Sequence, residues 1–284
     1  MNIYFLIVLL VTGALTITTD IAIKKIRNRH LCALGTAGIL GYGVGMALGS
    51  IPWTPRIVLN PLVGLGIGFI LYLARAWKAG DAKLFVTYSL LLVPSAANQS
   101  VVPLPCLALF LNTFLVSLLG LVPSLGNDII KNKTTFFKQL ISKKTMLYFG
   151  RTIMIIASIT WIVPPALKLL PLPPNPFLNV VILFISYAVI FQGISVIRYK
   201  LLILVLGIGG LMLRYCTMPR FFEPGNIIAF MRITLLYSIG FYILNAAIGL
   251  QSKKPVRVPL APFMFLGALL TYAGFPETLF KMFR

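Results

Sequence analysis

The chain has 284 residues, 59% apolar and 11% charged, with 25 Lys plus Arg against 5 Asp plus Glu and one His, a formal net charge of +20. About a quarter of an ordinary soluble domain is charged, so the composition argues against a water-soluble globule and excludes any mechanism needing several acids or histidines. Cys32, Cys106 and Cys216 form no CxxC pair and meet no His cluster, which argues against a disulfide framework or a metal site; neither metal nor cofactor is expected.

A spanning helix needs about 20 mostly apolar residues, because lipid satisfies no backbone polar group. Such runs fall at 2–19, 31–50, 57–76, 83–97, 101–123, 152–170, 177–197, 201–216, 233–250 and 258–275. They predict an all-α, polytopic helical membrane protein with about ten transmembrane helices. The first run lacks a basic n-region, and Thr18-Thr19-Asp20 is no small-residue cleavage site, so it reads as a helix and not a signal peptide. The cations sit between apolar runs instead of forming a basic face on a soluble fold, which argues for membrane lipid and against nucleic acid as a partner. With the N-terminus outside, 18 of the 25 cations fall in inner loops, and this excess sets the orientation. The expected location is the cell membrane.

Along the chain, Gly41, Gly45 and Gly49, then Gly64 and Gly68, repeat every four residues, a spacing that lets helix backbones approach closely in lipid. The longest polar stretch, 124–151, carries six cations and one acid among Phe136, Phe137, Leu140 and Ile141. It reads either as a helix lying on the anionic inner leaflet or as a solvated, orientation-setting loop. The proline-rich segment 164–176 breaks helix and connects spans outside. No sustained internal repeat is visible, against a transporter built from repeated halves.

The five acids sort by depth. Asp128 falls in the inner polar stretch, and Glu223 and Glu277 fall in outer loops. Asp20 closes the first helix and Asp81 opens the fourth, both on the inner side and at one depth. Two carboxylates held close share a proton, one acting as general base toward water and the other donating to a carbonyl oxygen. The carboxyl-terminal end of a helix disfavours ionisation of Asp20, and an amino-terminal end favours that of Asp81, which makes Asp20 the acid and Asp81 the base. The alternatives are structural: Asp81 as an N-cap, and Asp20 as a counter-charge to Lys24, Lys25 and Arg27.

The segment Asp20 to Asn28, DIAIKKIRN, resembles the first-aspartate motif of the type IV prepilin peptidase and archaeal preflagellin peptidase family, with Asp20, Ile26 and Asn28 matching and Arg27 at the usual Pro. The segment AGDAKLF, 79–85, is similar to the family's second motif, Gly-x-Gly-Asp followed by a small or aliphatic residue, Lys and Leu. Gly80, Asp81, Lys83 and Leu84 match it, and Lys78 replaces the first Gly. VPLAPFMFLGALL, 258–270, looks like the family's last helix, with Pro259, Pro262, Phe263 and Gly267 in place. The resemblance covers about 1–123 and 258–275. It implies family-like core helices over 1–123 and a last helix and tail over 258–284, and it leaves out the basic cytoplasmic segment 124–151 and the additional helices over 152–257, which the residues themselves predict. It also implies an intramembrane aspartyl endopeptidase that trims basic leader peptides from pilin-like precursors at the cytoplasmic face. Asp20 and Asp81 would be catalytic, with Gly80, Lys83 and Asn28 in support. Lys83 reads otherwise as an interfacial lysine extending its ammonium to water.

One His cannot supply an HExxH metalloprotease or the base of a serine protease. A non-catalytic membrane protein, either a transporter or an assembly factor that keeps the family helices, is the rival from another class, favoured by Lys78 and by the insertion at 124–257.

Overall fold

The computed structural model describes residues 3–74, 77–94, 104–143 and 260–275, with scattered positions from 145 to 239. The described residues form helices and no strand: α1 (Ile3–Ile23), α2 (Asn28–Ala47), α3 (Arg56–Leu73), α4 (Ala79–Leu91), α5 (Pro105–Lys131), α6 (Lys133–Leu140) and α7 (Ala261–Tyr272). Of these, α1, α2 and α3 are long and apolar enough to cross a membrane. The expected spans between 152 and 250 lie largely outside the described residues.

Two elements depart from the expected boundaries. The fourth helix begins at Ala79 instead of 83, because its start is fixed by a cap and not by the apolar run. The fifth continues through Pro123 to Lys131. Apolar length measures the crossing of a bilayer, whereas a helix continues wherever its backbone bonds can form. The basic stretch is helical over Lys133–Leu140, with Phe136 buried and Phe137 and Ile141 exposed.

The chain divides into two compact units, residues 1–119 with 258–284, and residues 120–257. Within the first unit α4 is central, in contact with α1, α2, α3 and α7. It buries Leu84, Phe85, Thr87, Tyr88, Ser89 and Leu91, over more than half of its circumference, with Lys83 exposed on the rest. Asn60 of α3 holds its far end: Nδ2 donates to the carbonyls of Ser89 at 2.6 Å and Leu92 at 3.2 Å, while Oδ1 accepts the Cys106 N–H at 2.8 Å.

The glycine stripes work at four of their five positions as packing. A Cβ on Gly41 would strike the ring of Tyr4, one on Gly45 the side chain of Ile51, one on Gly64 the hydroxyl of Ser89, and one on Gly68 would lie 3.1 Å from the Ala82 carbonyl oxygen. Gly49 serves differently. It has open space around it and φ +67°, the left-handed residue that ends α2.

Candidate active site

Asp20 lies in the last turn of α1 and is 6% exposed. Its carbonyl accepts the Lys24 N–H at 3.0 Å, and Lys24 itself takes φ +52°, so the helix stops in a left-handed residue and the chain turns into segment 24–27. A buried carboxylate needs donors. The donor is the backbone N–H of Ala261, 3.1 Å from Asp20 Oδ2. Ala261 is the first residue of α7, whose early N–H groups have no partner inside their own helix.

Asp81 occupies the first turn of α4, ahead of the apolar run 83–97, and is half-buried. Its Oδ2 accepts the Lys78 N–H at 3.1 Å, which is the side-chain half of a capping box; a lysine has no acceptor to return the other half. Asp81 is therefore not the N-cap residue of α4, which is Lys78, but caps the helix from its third position. Burial holds its carboxyl above the ordinary carboxylate range; the nearby charge of Asp20 pushes the same way, and the Lys78 N–H opposes them. The two carboxylates thus come from adjacent helix ends, within electrostatic reach of each other.

The depth match is set higher in the bundle. Thr12, Thr16 and Asp20 repeat every four residues on the buried face of α1. Thr16 Oγ1 donates to the Thr12 carbonyl at 2.7 Å and lies 3.5 Å from the Tyr88 hydroxyl. With the Thr16 proton committed, Tyr88 is the donor of that pair. Thr16 is one turn above Asp20, and Tyr88 two turns above Asp81, so this pair fixes the register of α1 against α4.

The residues expected in support gather at the same end. Lys83 Nζ donates to Asn28 Oδ1 at 3.2 Å, tying α4 to the start of α2. Gly80 faces Ile26, which is buried; an added Cβ would approach it no closer than 3.6 Å. The two departures from the family motifs are conformationally ordinary. Lys78 has φ −81° and ψ 162°, extended backbone that needs no glycine. Arg27 has φ −80° and ψ 126°, close to the φ a proline fixes.

The sequence reading missed the Ala261 N–H. Its signal was available: Pro259 and Pro262 flank a helix start, where free N–H groups require an acceptor. Tyr88 carried no comparable signal, because an aromatic residue in an apolar helix reads as core. Among the described residues no group of three His, Cys, Asp or Glu could hold a metal ion. No known family model, curated protein or solved structure matches this chain.

Proposed function

We propose that this chain is an intramembrane aspartyl endopeptidase that removes basic leader peptides from pilin-like precursors at the cytoplasmic face of the cell membrane, with Asp20 and Asp81 as its dyad. The observation that carries the proposal is the convergence of a buried Asp20 and a half-buried Asp81 at the ends of adjacent helices, with Asp20 acting electrostatically on Asp81. Such a pair favours one shared proton. The motif resemblance at 20–28, 79–85 and 258–270 points to the same chemistry.

The proposal gives the two aspartates the reverse of the roles that the ends of α1 and α4 suggest in isolation. Burial favours the protonated form of Asp81, so in this proposal Asp81 is the acid, and Asp20, which accepts the Ala261 N–H at the start of α7, is the base. Its Oδ1 takes a proton from the water that attacks the scissile carbonyl carbon. Asp81 keeps the proton, with Oδ2 on the Lys78 N–H and the other oxygen donating to the carbonyl oxygen as negative charge develops there. Asn28 and Lys83 hold the turn after Asp20 against α4.

Co-expression with a pilin-like precursor from the same genome tests the proposal through precursor size. Processing by the wild type and its loss in both Asp20→Asn and Asp81→Asn are expected; unchanged processing in either removes the dyad. A second reading has one observation behind it, the capping bond of Asp81 to Lys78, which gives Asp81 a purely structural use. In that reading the chain is a non-catalytic transporter or pilus or secretion assembly factor, and precursor size is indifferent to both variants.

A further inference from the structure

The turn between α1 and α2 forms an open concavity of about 480 Å³ lined by Lys25, Ile26, Arg27, Asn28 and Arg29. Its three cations and the neighbouring Lys24 are exposed, and none has an acidic partner among the described residues. At the same place α2 begins without a side-chain cap: Arg27 is its N-cap residue and offers no acceptor to the first-turn amides. The Asn28 Oδ1 is already occupied by Lys83. The ring Nδ1 of His30, in the first turn of α2, is buried and has no hydrogen-bond partner among the described residues. Three cations and an uncapped helix start thus line one hollow, Lys24 and His30 adjoin it in the chain, and no acidic side chain pairs with these cations among the described residues.

We propose that this concavity holds the phosphate of an anionic membrane lipid. A phosphate diester presents oxygens that accept from guanidinium, ammonium and helix-start N–H groups together. α1 and α2, each apolar enough to cross a membrane, end and begin at the hollow, which puts it at headgroup depth, and the exposed apolar residues beside it, Ile21 and Ile23, suit the adjoining acyl chain. A basic leader peptide would be repelled there, so this is a site apart from the peptide. The inference rests on the membrane placement and not on the peptidase chemistry.

The test is native mass spectrometry of the full chain, released from detergent and titrated with phosphatidylglycerol, phosphatidylcholine or inorganic phosphate. Retention of phosphatidylglycerol over phosphatidylcholine is expected, with a loss of affinity of about tenfold or more in Arg27→Gln/Arg29→Gln. A Lys131→Gln/Lys133→Gln control should bind as the wild type does. Should the first variant fail to fold by circular dichroism, Lys25→Gln/Arg29→Gln is read in its place, and Arg27→Lys/Arg29→Lys should keep the lipid. Equal retention of the two lipids, or unchanged binding in the Gln variants, overturns the proposal. Displacement of the lipid by an equal concentration of inorganic phosphate also overturns it, by showing that the ligand is the free ion. Precursor processing measured on the same variants separates this proposal from the peptidase reading, since lipid loss and loss of cleavage can then occur independently.

Discussion

The backbone N–H of Ala261 donates to the carboxylate of Asp20 at 3.1 Å, joining residues 241 positions apart. Asp20→Asn keeps an acceptor for this N–H and loses the charge, so the fold should survive with a stability change within about 1 kcal/mol, and in the peptidase reading precursor processing should stop. Asp20→Ala strands the buried N–H and should cost about 1–3 kcal/mol. Thermal unfolding in detergent distinguishes the two; equal melting of both variants would show that the bond contributes little.

Burial raises the Asp81 carboxyl above its ordinary value, and the sign of the pH effect follows. The folded state keeps this proton at pH values where the unfolded chain has lost it, so stability falls as pH rises from about 4 through the folded pKa, and is level above that. Asp81→Asn should abolish this segment of the Tm-versus-pH curve while retaining an acceptor for the Lys78 N–H. In the peptidase reading, cleavage by the wild type declines over the upper part of the same window as Asp81 loses its proton.

Gly267 and Gly80 should respond oppositely to alanine. A Cβ at Gly267 would lie 2.8 Å from the backbone nitrogen of Thr113, so α7 and α5 must separate, at a cost of about 1–3 kcal/mol. At Gly80 the nearest atom is Ile26 Cβ at 3.6 Å, ordinary contact, and alanine in this first turn of α4 adds a part of the helix propensity that reaches about 1 kcal/mol in a helix interior. Melting temperatures of the two variants check the contrast: Gly267→Ala falls and Gly80→Ala holds or rises.

Asn60→Leu should loosen the far end of α4. The variant removes two bonds to the carbonyls of Ser89 and Leu92 and orphans the Cys106 N–H, a loss of about 1–3 kcal/mol or more. Hydrogen exchange localises the effect, with protection expected to drop at Cys106 and Leu107 before it drops in α1.

What the sequence determined by itself was what depends on local composition and spacing. The apolar runs specify helices, three of them long and apolar enough to cross a membrane, and the four-residue glycine spacing marks four positions where a neighbour leaves no easy room for a Cβ. The scarcity of acids narrows attention to Asp20 and Asp81, because the ends of α1 and α4 place both beside segment 24–29. Local signals set helix boundaries poorly, as α4 and α5 show, since Asp81 and not the apolar run fixes the start of α4. The tertiary structure alone decided which groups surround the pair. The end of α1 is what the sequence places at Asp20, but the partner its carboxylate meets is the N–H that begins α7, brought in from residue 261. The bond joins residues 241 positions apart, and because a local signal reaches only about one helical turn, nothing near Asp20 in the chain encodes which helix start will meet it.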